Sequence, residues 1–287
     1  MGIPYFPGCT LHVKAKGLDD STRATLAALG LELTELPEWT CCGTAFPLAQ
    51  DNYMGMVASA RILAKAAKEG DGRLVTVCSF CYNVLKRVNF ALKNNDEART
   101  KLNAYLEENY NGELRVLHPL ELLRDDLGFD SLKTRVDRKL KGMKVACYYG
   151  CMLSRPAKEM EFGEPENPAL MEEFVKAVGA EPVDFPYKTK CCGSYQVLNN
   201  YDLVAGRVKD ILKAARVRDS EVIITSCPLC QFNLDWLQDR FADEDKSFSK
   251  IPVLYFTQLL GIALEISVAK LGLDNHYVDP KPLLQAG

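Results

Sequence analysis

No stretch of this 287-residue chain approaches the eighteen or so uninterrupted apolar residues that a membrane-spanning helix needs. The segment LLGIALEISV over 259–268 is apolar, but it is short and contains Glu265. The N-terminal MGIPYFPGCT lacks a basic region followed by a long apolar stretch, so no leader is read there and a cytoplasmic protein is expected. The chain also lacks a basic excess. Its formal charge is −3, which provides no footprint for a phosphate backbone and excludes nucleic acid as an expected partner.

What is present is ordinary bulk and an unusual number of thiols. A hydrophobic fraction of 47% and a charged fraction of 25% describe a folded chain able to bury one large or two average cores. A domain of that size needs no disulfide framework, so eleven cysteines require another account. Burial as small apolar residues explains one or two of them. In a reducing compartment, clustered cysteines more often bind metal or do redox chemistry.

The chain repeats itself. GLELTELPEWTCCGT over 30–44 runs parallel to GAEPVDFPYKTKCCGS over 179–194. Gly30 and Gly179 each follow an apolar helical pattern and are expected as helix C-terminal glycines, and Asn167 with Pro168 is expected to start the second of those helices. After each doublet comes a helical pattern, over 53–69 or 201–217, and then a β-branched run, RLVTVC or EVIITSC, ending in CxxC. LRVLHPL (114–120) and IPVLYF (251–256) read as a further strand in each half. Each half is therefore β-α-β-α-β-α-β-α. The expected fold is α/β, with two duplicated domains, each a small mostly parallel sheet flanked by helices, related by pseudo-twofold symmetry. The charged stretch 128–143 marks the boundary, giving domains 1–135 and 136–287.

Both halves supply five thiols in one order. Thirty-one residues separate Cys9 from the doublet Cys41 and Cys42, and thirty-five more lead to Cys78 and Cys81. Thirty-nine residues separate Cys151 from Cys191 and Cys192, and thirty-four lead to Cys227 and Cys230. Each cysteine group follows a strand, so all five converge at the carboxyl end of one sheet, where open α/β sheets hold ligands. The second cysteine of each CxxC is expected in the first turn of the next helix, where the dipole favours a thiolate. Adjacent cysteines are poorly placed to bond each other. Zinc sites and cubane clusters close with four ligands, so five thiols point to a cluster of unusual shape, or to four ligands plus a reactive thiol. Cys147 falls inside a strand and is read as a buried structural thiol.

With these motifs the chain resembles the CCG-domain family, and within it the B-type subunit of heterodisulfide reductase, from YFPGC at residue 5 to near residue 264. The resemblance implies two noncubane 4Fe-4S clusters, one bound by Cys9, Cys41, Cys42, Cys78 and Cys81, the other by Cys151, Cys191, Cys192, Cys227 and Cys230. It implies reduction of the heterodisulfide of coenzyme M and coenzyme B, with the two clusters facing one cleft. The partners it implies are a ferredoxin-like C-type subunit with a flavin-bearing A-type subunit, often joined to a hydrogenase or formate dehydrogenase. Both coenzymes are anionic, which directs attention to Arg155 and Lys158 after Cys151, and to Lys14 and Lys16 after Cys9, against the plainer reading of solvated loop charges. His12 is a candidate proton donor, whereas His118 reads as structural and His276 has no assigned role. Three rivals remain: an electron-transfer subunit of thiol:fumarate, lactate or glycolate oxidoreductases, a zinc-stapled module, and a thiol exchanger acting through CxxC. The fused CxxCxxCxxxCP segment of several such subunits is missing, which favours a separate subunit with an external electron feeder.

Overall fold

Short β-branched runs pair side by side in each half of the computed structural model, which describes residues 2–47, 51–136 and 140–284. Strands β1 (Ile3–Tyr5), β2 (Leu33–Glu35), β3 (Arg73–Val75) and β4 (Arg115–Leu117) form one sheet. Strands β5 (Lys144–Cys147), β6 (Glu181–Pro182), β7 (Val222–Thr225) and β8 (Val253–Tyr255) form the other. The orders are β2-β1-β3-β4 and β6-β5-β7-β8, and every pairing is parallel. The sequence repeat is thus a repeat of topology. All four residues of β7 are buried, as expected for a parallel strand covered on both faces. Edge strand β6 is only two residues long and ends at Pro182, which has no N–H for a ladder.

Helices fill the crossovers. Lys16–Ala28 follows β1, Val57–Lys68 follows β2, and Ser79–Asn94 with Asp96–Leu106 lies between β3 and β4. Their counterparts are Leu170–Ala177, Tyr201–Val217 and Pro228–Glu244. Gly30 (φ +82°) and Gly179 (φ +85°) sit just past two of these helices in the left-handed conformation that stops a helix. The start expected at Asn167 and Pro168 is displaced: the helix begins at Leu170, and the Pro168 carbonyl accepts from Lys188 Nζ at 2.8 Å. In both sheets the connections reverse direction at the first strand, between β1 and β3 or β5 and β7, which leaves a crevice at the carboxyl ends.

The halves grip each other reciprocally. Helix Lys16–Ala28 packs on Phe256–Ala263, the helix after β8, while its counterpart Leu170–Ala177 packs on Pro119–Leu122, the helix after β4. Swapping halves exchanges the two contacts, as a pseudo-twofold relation requires. Ser21 and Thr257 hydroxyls meet across the first contact at 2.7 Å, and Tyr82 and Phe162 rings across the seam at 6.0 Å. One apolar core runs through both halves, from Leu18 and Leu63 to Phe174 and Leu259. Each such fully buried Leu or Phe stabilises the fold by roughly 1.5–3 kcal/mol. Within the charged stretch 128–143, residues 137–139 lie outside the described residues. Before them, Arg135 donates to Leu29 O at 3.1 Å. Among the described residues no helix is long and apolar enough to cross a membrane.

Candidate metal centre

The strand and helix ends bring each set of five thiols together. Cys9 and Cys151 follow the central strands, and the doublets follow β2 and β6. Cys78 and Cys227 are the N-caps of Ser79–Asn94 and Pro228–Glu244, and Cys81 and Cys230 lie in the first turns, at the positive ends of the helix dipoles. Cys9 Sγ lies 3.8 Å from Cys41 Sγ, and Cys42 Sγ lies 3.5 Å from Cys81 Sγ. In the second set Cys192 Sγ lies 3.6 Å from Cys230 Sγ, and Cys151 and Cys227 line one small cavity with them. None of the eleven cysteines is in a disulfide.

Glycine clears the space. Gly8 (φ +81°) and Gly150 (φ +67°) precede Cys9 and Cys151, and a Cβ on either would meet the Sγ of Cys81 at 2.7 Å or of Cys230 at 3.1 Å. Beyond the doublets, Gly43 with Thr44, and Gly193 with Ser194, both hold positive φ, a costly conformation for Thr and Ser that is repeated in both halves. In the second half this turn aims amides at sulfur: Gly193 N donates to Cys191 Sγ and Ser194 N to Cys192 Sγ, each at 3.3 Å. The Ser194 Oγ is buried beside them without a partner.

The thiols are too crowded to ionise together. Cys42 is drawn down to about 7, chiefly by the Cys81 hydrogen bond, while Cys81 is pushed well up by Cys42 and Cys78. Cys191 is drawn down to about 6, chiefly by the Cys151 hydrogen bond, and Cys230 is pushed well up by Cys192 and Cys227. Bound metal relieves such crowding by replacing protons. Among the described residues no three His, Cys, Asp or Glu side chains are arranged around one point as for a single ion. The sulfurs run instead as neighbours along each set, with amide donors and glycine clearance around them, an arrangement that fits a body of several metal atoms.

Residues 3–86 and 145–235 both match the CCG cysteine-rich domain. The chain belongs to the CCG cysteine-rich domain family. It is 33% identical over 282 residues to the 8-methylmenaquinol:fumarate reductase membrane anchor subunit of Wolinella succinogenes, covering 97% of this chain and 98% of that one. It is 30% identical over 288 residues to the B-type subunit of the ferredoxin:CoB-CoM heterodisulfide reductase of Methanosarcina mazei, covering 96% and 93%. The crystal structure of a hypothetical protein from Helicobacter pylori shares the fold, with a TM-score of 0.74 at 16% identity over 96% of this chain and 51% of that one.

Other expected site residues of this CCG protein are scattered. Arg155 reaches the second doublet loop, donating to Thr189 O at 2.6 Å with Glu166 3.8 Å away. Lys158 lies over the Phe90 ring, 5.3 Å from its centroid, and Lys16 opens a helix. Lys14 borders a small cavity at the seam with Gln231, Tyr255, Gln258 and His276. His12 is held by Glu35 at 3.2 Å and sits edge-on to Trp39. His118 is structural: fully buried, it caps helix Pro119–Leu122 and meets Val77 O at 3.1 Å. Cys147 is buried at the end of β5, and burial pushes its thiol well up. His276 is pinned by Gln258 at 3.0 Å beside buried Asp235, a place its position near the chain end did not suggest. Sequence reasoning also missed Gly8 and Gly150, although each directly precedes an aligned cysteine. It missed Asn233, Ser79 and Ser226 as well, for which spacing carries no signal.

Proposed function

We propose that this CCG protein is the catalytic iron–sulfur subunit of an oxidoreductase complex that reduces the heterodisulfide of coenzyme M and coenzyme B. Domain 1–135 holds one noncubane 4Fe-4S cluster on Cys9, Cys41, Cys42, Cys78 and Cys81. Domain 136–287 holds the second on Cys151, Cys191, Cys192, Cys227 and Cys230. The observation that carries this reading is two complete five-thiol sets whose CxxC turns meet at the seam, where the Ser79 and Ser226 hydroxyls lie 2.6 Å apart. Each serine adjoins a cysteine, so the Cα atoms of Cys78 and Cys227 are at most roughly 15 Å apart by covalent geometry.

When bound, the clusters supply single electrons and iron sites for sulfur. The chain's own residues hold them: helix N-termini and turn amides stabilise sulfur charge, Gly8 and Gly150 make room, and the serine pair fixes one set against the other. Ser79 and Phe80 of the first half wall a small cavity among the thiols of the second, so the first half helps shape the second's surroundings. The reaction consumes two electrons and two protons, breaks one S–S bond and yields two thiols. The matching electron suppliers are a ferredoxin-like C-type subunit, a flavin-bearing A-type subunit, plus a hydrogenase or formate dehydrogenase. A relative named for the B-type position in a ferredoxin-dependent heterodisulfide reductase supports that assembly.

A second reading is favoured by the full-length similarity to a fumarate reductase subunit: an electron-transfer CCG subunit of a fumarate-reducing complex. Anaerobically purified protein given a reduced viologen separates the two. Heterodisulfide reduction that disappears in Cys42→Ser and in Cys192→Ser supports the first reading. Unchanged reduction in both variants, or none in the native protein, rules it out.

A further inference from the structure

Asn233 lies three residues beyond Cys230 and is fully buried. Its Nδ2 donates to Ser194 O at 2.9 Å and to Cys192 Sγ at 3.6 Å, so one side chain binds the doublet turn and one of its sulfurs. The first half has nothing equivalent among its described residues. Asn83, two residues beyond Cys81, reaches across the seam to Met152 O at 2.7 Å and Arg155 O at 2.6 Å. Ser59 holds the first doublet through the Cys42 carbonyl at 2.7 Å, leaving its sulfur alone. Charge is unequal as well. Arg155 donates to Thr189 O at 2.6 Å, two residues before the second doublet, whereas the residue two before the first doublet, Trp39, is turned to Glu35 Oε1 at 2.9 Å.

Resting on the reading that each set binds an iron–sulfur cluster, we propose that Asn233, with Arg155, gives the second-half centre the higher reduction potential, so that it takes the first electron. An added electron is added negative charge, and N–H donors to sulfur and nearby cations favour the reduced form. Burial opposes this, and Cys151 and Cys191 are less exposed than Cys9 and Cys41. The same exclusion of water, however, lengthens the reach of the Arg155 guanidinium, while the Asn233 amide acts on the sulfur directly. Asn233 and Arg155 are positioning and tuning residues, not catalytic ones.

Potentiometric titration of the anaerobic, iron-loaded full chain with a low-potential one-electron reductant, followed by electron paramagnetic resonance, tests the inference. Two waves are expected, and the upper one persists in Cys42→Ser. Asn233→Ala moves the upper wave to lower potential and leaves the lower wave in place. Asn233→Asp, which keeps the shape and replaces the N–H donor with a carboxylate, does the same and carries the test where Asn233→Ala does not retain iron. Loaded protein with coincident waves, or variants that leave the upper wave unmoved, overturns the inference and leaves the proposed function standing. Protein that binds no iron overturns both.

Discussion

Cys9 and Cys41 lie open at the edge of the first sheet, whereas their counterparts Cys151 and Cys191 are partly covered. The backbone is the same in both places: one strand order, one turn with paired positive φ, one glycine against the last thiol of each set. What differs is the second layer. The second set has a buried carboxamide on sulfur and a guanidinium on its doublet loop; the helix following β4 is capped by His118 and Glu121, and that following β8 by Tyr255 and Gln258. Duplication has kept what holds the thiols and varied what tunes them.

The comparison is broken most severely at the glycines. Gly8→Ala places a Cβ 2.7 Å from Cys81 Sγ at φ +81°, and Gly150→Ala places one 3.1 Å from Cys230 Sγ. The left-handed backbone alone costs about 1–2 kcal/mol, so both variants lose stability and Gly8→Ala, with the closer clash, loses more and releases iron faster. Denaturant unfolding with iron analysis checks this, and a reversed order contradicts it.

Next in size is an acid sensitivity that originates at His118, in the first half. Burial above all holds the His118 imidazole neutral, down to about 3 from 6.5, with the Val77 carbonyl opposing and Lys86 assisting. Below pH 6.5 the unfolded chain gains a proton that the folded one refuses until about pH 3, so stability falls through that window by about 1.4 kcal/mol per pH unit. His118→Gln removes this contribution. Between pH 7 and 5 its unfolding free energy is expected to fall by ~2 kcal/mol less than the native protein's, and equal losses in the two contradict the assignment.

The smallest signal is the coupling between two hydroxyls at the seam. Ser79→Ala or Ser226→Ala alone strands a buried hydroxyl and costs about 1–3 kcal/mol, while the double variant costs less than the sum because neither partner is left behind. Additive losses in a double-mutant cycle contradict a direct bond.

Motifs that act locally were legible in the sequence. The doublets, the CxxC turns and the β-branched runs before them identify strands, helix starts and ten convergent thiols, since each signal spans only a few residues. The β6 edge and the helix start at Leu170 were less so, because Pro168 is used for a tertiary hydrogen bond and not for a helix N-terminus. Asn233 and Asn83 show the limit most clearly. One residue of helical phase sends the first to a doublet and the second across the seam, and no spacing rule announces it. Lys158 and His12 lie against neighbouring rings, contacts that loop sequence does not announce, because loop charges settle on whatever the fold brings near.

Metal content tests the two-centre account most directly. Anaerobically prepared protein is expected to carry about eight irons per chain with matching sulfide, falling to about four in Cys42→Ser and about four in Cys192→Ser. Zinc in place of iron, or an iron content that neither substitution lowers, contradicts it.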